Sequence, residues 1–305
     1  MQTLLKQAFV VLLKLILIFV LIVLVSLILA VLLLAVYFSS GRAVGWERLF
    51  GDPRFVDAML LAQMAAFVIS TFVMHAWFER KKWPLGWKRE DSLPDTFKGM
   101  LMGIVLMTAS SLLIVLFGGV TVTGWAIDME TAFSLLKGAV LFLLVALNEE
   151  LFSRGYVQGL FRYHFGSAPG IAAASLLFAL LHFFNPGVVE NAVPMVNLAL
   201  AGILLGLSRE MSGGLWMPVG IHLTWNYFQG NIFGFPVSGV DVKSLFLIEQ
   251  SGHPLISGGA FGAEGSVVTS FVLSAGILWI IWRHRKFPGK GSWKKTQLKE
   301  NFTAR

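Results

Sequence analysis

Residues 16–37 read ILIFVLIVLVSLILAVLLLAVY, an unbroken apolar run in which Ser26 is the one polar interruption. A helix of about 18 or more apolar residues reaches across a bilayer core of roughly 30 Å. A secretory signal would carry an apolar region of only about 7–15 residues ending at a small-residue cleavage site. Ile16 to Tyr37 is longer than that and is read as a retained first span. Apolar residues make up 56% of the chain and charged residues 13%, with a mean hydropathy of +0.74, which excludes an ordinary soluble domain.

Further spans are expected near Met59–Trp77, Phe97–Phe117, Ala132–Phe161, Ala168–Phe184, Val193–Leu207, Leu215–Phe233 and Ser266–Trp282. The fold class is therefore all-α, a polytopic transmembrane bundle of about eight spans. The fourth span exceeds what a bilayer needs and should tilt or project. The sixth is short and the seventh carries Pro218. Gly234 to Gly265 is glycine-rich and reads as a loop or a re-entrant segment.

Lysine and arginine favour cytoplasmic loops. Arg80, Lys81, Lys82, Lys88, Arg89 and Lys98 lie between the second and third spans. Arg283, Arg285, Lys286, Lys290, Lys294, Lys295, Lys299 and Arg305 form the tail. Eight spans bring both groups to the side of the N-terminus, so both termini are expected in the cytoplasm. Three regions follow: N-terminal helices 1–130, a core 131–239, and 240–305 with a non-cytoplasmic loop, the last span and the basic tail. A basic tail on a membrane protein reports topology and attraction to anionic headgroups, so no nucleic-acid partner is expected. With no cysteine, disulfides, thiolate catalysis and cysteine-based zinc sites are excluded.

Ionisable side chains at membrane depth are costly and mark functional sites. Three polar groups interrupt the apolar helices: Glu149-Glu150 with Arg154, Phe178 with His182, and His222 with Asn226. Glu150 and Arg154 are four apart, the spacing for an ion pair on one helix face. Glu149 points elsewhere, about 100° away, with no local partner. A poorly solvated carboxylate of that kind serves as a general base. Each group also has a plainer reading. The Glu-Arg pair suits a packing network, His182 a satisfied interior histidine, and His222 with Asn226 an interhelical hydrogen-bond clamp.

Depth favours a shared site. Counted from the cytoplasmic ends of their helices at about 1.5 Å per residue, Glu149, His182 and Asn226 all lie roughly 20 Å in. The chemistry that suits the set is hydrolysis. Glu149 and His182 would hold and deprotonate water, and His222 and Asn226 would stabilise an oxyanion.

In order and spacing the seven residues resemble the CAAX prenyl protease and bacteriocin-processing intramembrane endopeptidases, the abortive-infection family. Its pattern is two glutamates, three residues and an arginine, then phenylalanine four before a histidine, then histidine four before an asparagine. Tyr156, Met217-Pro218-Val219 and the Gly230–Gly239 segment with Pro236 and Ser238 also resemble it. The resemblance implies a multi-pass protein of the cell inner or plasma membrane, with a site opening to the cytoplasmic side. It implies a glutamate-dependent peptidase acting on a membrane-associated peptide or protein. In it Glu149 and His182 activate water, Glu150 and Arg154 orient the site, and His222 and Asn226 form the oxyanion hole. Phe178 is a supporting residue. No cofactor is expected, although the carboxylates and imidazoles would also suit a divalent metal. The chain lacks the His-Glu-x-x-His helix of metalloproteases. A transporter or a non-catalytic immunity protein is the competing class; no repeated halves with broken helices, as transporters often show, are found in the sequence.

Overall fold

A computed structural model describes residues 2–39, 49, 51–87 and 90–286. Nine helices are described: α1 Gln2–Ser39, α2 Pro53–Met74, α3 Ser92–Leu116, α4 Met129–Phe165, α5 Ser167–Leu181, α6 Val193–Ser212, α7 Trp216–Tyr227, the short α8 Pro254–Ser257, and α9 Val267–Lys286. Five of them, α1, α2 with its extension to Glu79, α3, α4 and α6, are long and apolar enough to cross a membrane. The other three expected spans correspond to the shorter α5 of 15 residues, α7 of 12 residues continued to Ile232 by a π-helical turn, and α9. Lys88, Arg89, Arg42, Arg48 and the tail beyond Lys286, on which part of the orientation reading rests, lie outside the described residues.

α1 is apolar all round. It buries only Val11, Lys14, Ile18 and Ile22, a stripe at helical spacing, and exposes Leu24, Leu27, Ile28 and Val31. Such continuous exposed apolar surface is stable against lipid rather than water. Lys14 ion-pairs with Glu79 at the end of α2, and Lys82 adds a second contact at 3.4 Å. Phe19 of α1 and Phe67 of α2 meet Phe152 of α4 edge-on, at centroid distances of 5.9 and 5.2 Å.

Helix starts follow local chemistry. The Asp52 side chain accepts from Arg54 N with Pro53 at the first helical position, and Asp128 accepts from Thr131 N at 2.7 Å to begin α4. Pro218 falls in the first turn of α7, where no intrahelical N–H is required. That is why it does not break the helix.

α3 packs along α7 through small residues. A side chain at Gly99 would run into the Met217 carbonyl, one at Gly103 into Thr224 and the Ile221 carbonyl, and one at Gly220 into the Thr96 carbonyl. The Gly99-xxx-Gly103 spacing lets the two backbones touch. Thr224 Oγ1 then donates to the Met100 carbonyl at 3.0 Å.

The expected all-α class needs one addition. Val120–Trp125 (β1), after α3, pairs antiparallel with Phe246–Gln250 (β2). The alternating β-branched run Val120-Thr121-Val122-Thr123 favours this pairing. Gly234–Gly265 is thus partly strand, and its last third folds inward: Ser257, Phe261, Ala263 and Glu264 are all buried.

Candidate active site

α4 is not α-helical throughout. It is α-helical over Met129–Glu150, π-helical over Leu151–Gln158 and α-helical again over Gly159–Phe165. All eight residues of the π segment are buried, so neighbours surround this turn on every side. Wider π turns recur at functional sites. Gly166, at φ 97°, ends the helix with a backbone conformation that favours glycine.

Arg154 and Glu150 are wholly enclosed. Arg154 Nη1 donates to Glu150 Oε1 at 2.8 Å and Nη2 donates to the Gly202 carbonyl at 3.3 Å. The guanidinium lies 4.5 Å over the Phe178 ring, a cation–π contact. A side chain at Gly202 would collide with Ser175, so that glycine lets α5 and α6 close around the arginine.

His222 Nδ1 lies 2.9 Å from the same Glu150 oxygen. Because a carboxylate accepts, Nδ1 carries the proton, and Nε2 faces the other way. His182 is held similarly, by Nδ1 donating to the Phe178 carbonyl at 2.8 Å. It was expected inside a helix running to Phe184; α5 instead stops at Leu181, and His182 is its cap. The freed backbone there lets the ring turn inward. Phe178 touches both imidazoles, at centroid distances of 4.7 and 6.0 Å.

Glu149 is not isolated, contrary to the local reading of its helix. Its Oε2 stands 3.9 Å from Nε2 of His182 and 3.9 Å from Nε2 of His222. These distances exceed a hydrogen bond. Exposure rises across the cluster from zero at Glu150 and Arg154, through 7% at His222 and 15% at His182, to 28% at Glu149. Glu149 is thus the most exposed member of the cluster, while the Oε2 atom that faces the two imidazoles is itself buried and has no hydrogen-bond partner.

Asn226, one turn after His222, lines a cavity of about 20 Å³ with His222, Phe178, Trp225 and Glu264. Space of this size admits about one water. Glu264 had no signal in the sequence beyond being a carboxylate in a glycine-rich apolar stretch. Two histidines and a glutamate are zinc-type ligands, but among the described residues no group of three or more histidine, cysteine, aspartate or glutamate side chains is arranged to hold a metal ion.

The segment that builds this cluster can be compared with known proteins. Residues 131–228 match the family model described as type II CAAX prenyl endopeptidase Rce1-like. That part of the chain is similar to Rce1-like endopeptidases. The matched segment contains all seven residues singled out in the sequence, and Glu264 lies beyond it. An Escherichia coli protein described as an uncharacterized 24.3 kDa protein is 34% identical over 85 residues, which cover 27% of this chain and 37% of that protein. The matching family model is one of endopeptidases. Together with five span-length helices it supports an integral membrane protein.

Proposed function

We propose that this chain is an intramembrane endopeptidase that hydrolyses a peptide bond of a membrane-associated peptide or protein. The observation that carries the reading is the approach of Glu149 Oε2 to 3.9 Å from the Nε2 atoms of both His182 and His222. A gap of that length suits one water at hydrogen-bonding distance from Glu149 and His182 together.

In the proposed reaction Glu149 takes a proton from this water, and the oxygen attacks the substrate carbonyl carbon. Neutral His182 carries its proton on Nδ1, so Nε2 accepts the water's second hydrogen bond. Negative charge then grows on the carbonyl oxygen, where Asn226 Nδ2–H and His222 Nε2–H donate. For His222 to donate from Nε2 while Nδ1 holds Glu150, the ring must be an imidazolium; Glu150 is the counter-charge behind it, as the carboxylate is in a serine-protease triad. When the C–N bond breaks, Glu149 returns its proton to the leaving nitrogen. Donors aimed at developing charge in a site shielded from water contribute about 10²- to 10³-fold each.

The proposal includes eight crossings with both termini in the cytoplasm, residues 131–239 as the catalytic core, and no metal in the reaction. Comparing membrane peptides from cells that carry the wild-type chain with those from cells carrying Glu149→Gln tests it. Peptides that end at a common bond only with the wild type would support the proteolytic reading; identical peptide sets would contradict it. Activity lost on chelation and restored by a divalent ion would instead mark a metal-dependent form.

A further inference from the structure

Glu264 is a carboxylate with only 7% exposure, held on the single 3-10 turn Ala263–Gly265 between α8 and α9. Buried loops are uncommon because their backbone groups need partners, and here those partners are supplied individually. Asn197 Nδ2 donates to the carbonyls of Glu264 and Ser266 at 2.7 and 2.8 Å. Thr269 Oγ1 donates to the Ala263 carbonyl at 2.6 Å. Gly258 and Gly262, at φ 93° and 85°, allow turns whose inner faces have no room for a side chain. The loop is thus fixed from α6, α9 and its own turns.

The carboxylate is anchored from one side. Oε2 accepts from Ser238 N at 3.1 Å, Ser238 Oγ at 2.9 Å and Gln229 Nε2 at 3.4 Å. None of these partners is cationic. A buried carboxylate is costly unless its oxygens are bonded; these three bonds all go to Oε2, and Glu264 lines the same cavity as Asn226 and His222.

We propose that Glu264 is a positioning residue for Asn226, its Oε1 accepting one amide N–H directly or through a single water in the cavity. An asparagine amide has a donor end and an acceptor end. An acceptor-only carboxylate on one side selects the orientation with NH2 in the cavity, and the second N–H of that NH2 then points to the reacting carbonyl oxygen. In the opposite orientation the amide oxygen would face the oxyanion and repel it. This rests on the oxyanion role proposed above for Asn226.

Selective ¹⁵N-asparagine labelling of the full-length protein in lipid nanodiscs tests the contact without any substrate. The chain has seven asparagines, and the Asn226 side-chain signal is assigned by its loss in Asn226→Ser. Glu264→Gln removes the obligate acceptor, and Glu264→Asp keeps the charge but withdraws it by one methylene. Both should shift the Asn226 NH2 signals. With a cleavable peptide, Glu264→Gln should lower kcat roughly tenfold or more at nearly constant KM, because a misplaced group costs rate rather than binding. Glu264→Asp should recover part of that loss. An Asn226 signal unmoved in either folded variant overturns the proposal. So does a shifted signal with wild-type kcat in Glu264→Gln. A shifted signal in a protein whose wild type cleaves nothing would leave the Glu264 contact standing and remove the peptidase reading instead.

Discussion

Glu150 Oε1 lies 2.9 Å from His222 Nδ1 although the two residues are 72 positions apart, and the same oxygen accepts from Arg154 at 2.8 Å. One carboxylate oxygen therefore joins α4 to α7 and sets the direction of the imidazole whose other nitrogen faces Glu149.

Arg154→Met should destabilise the protein strongly, because it takes from the enclosed Glu150 carboxylate its permanently charged partner and leaves it only His222. Breaking one partner of a buried pair costs about 3–5 kcal/mol. The double variant Arg154→Met with Glu150→Leu should recover part of that loss yet remain inactive, since His222 loses its anchor. Thermal unfolding of the four proteins in one detergent, combined with a cleavage assay, measures both effects.

The Lys14–Glu79 pair gives a parallel case away from the site. Lys14→Met should lower the melting temperature by leaving Glu79, whose side chain is fully buried, with only the longer contact to Lys82, and Lys14→Met with Glu79→Leu should restore most of it. Activity per folded molecule should stay near wild type in the double variant.

Gly103→Val should separate α3 from α7 and disturb the placement of His222. Overpacking typically costs about 1–3 kcal/mol. Because Thr224 bonds to α3 within one turn of His222 and Asn226, kcat should fall as well. Unfolding and turnover measured on the same preparation separate the two contributions.

At the start of α4, the Thr131 backbone N–H holds the Asp128 carboxylate below the usual carboxylate range. A depressed folded-state value adds stability above the ordinary aspartate pKa of about 3.9, and this stability is lost as pH falls through the folded value. Asp128→Ala should therefore be less stable than wild type at neutral pH, with the gap closing in acid.

The sequence made the membrane-helical character plain because apolar length is a local property, as in Ile16–Tyr37. It also picked out the six polar residues of the site, since polarity inside an apolar run stands out whatever the tertiary structure. Contacts between distant segments were not legible. Glu149 looked unpartnered because both imidazoles near it come from other helices. His182 looked helical because nothing in Leu180-Leu181-His182-Phe183 announces a cap. The strand pairing of Val120–Trp125 with Phe246–Gln250 joins loops more than a hundred residues apart, and glycine-rich composition around Glu264 reads equally as a loop or a re-entrant segment, without showing that packing buries it. The links from the first three helices to the site, Phe19 and Phe67 against Phe152 and Gly99 and Gly103 against α7, are likewise contacts between distant segments.

Glu149→Gln preserves the shape of the proposed base and removes its capacity to take a proton from water. Purified wild-type and Glu149→Gln proteins, matched for melting temperature and reconstituted in the same bilayers, should be compared on a peptide that the wild type cuts. A fall in kcat of at least roughly 10²-fold with the fold intact is expected for loss of a general base. Cleavage at the wild-type rate would contradict the central claim that Glu149 activates the attacking water.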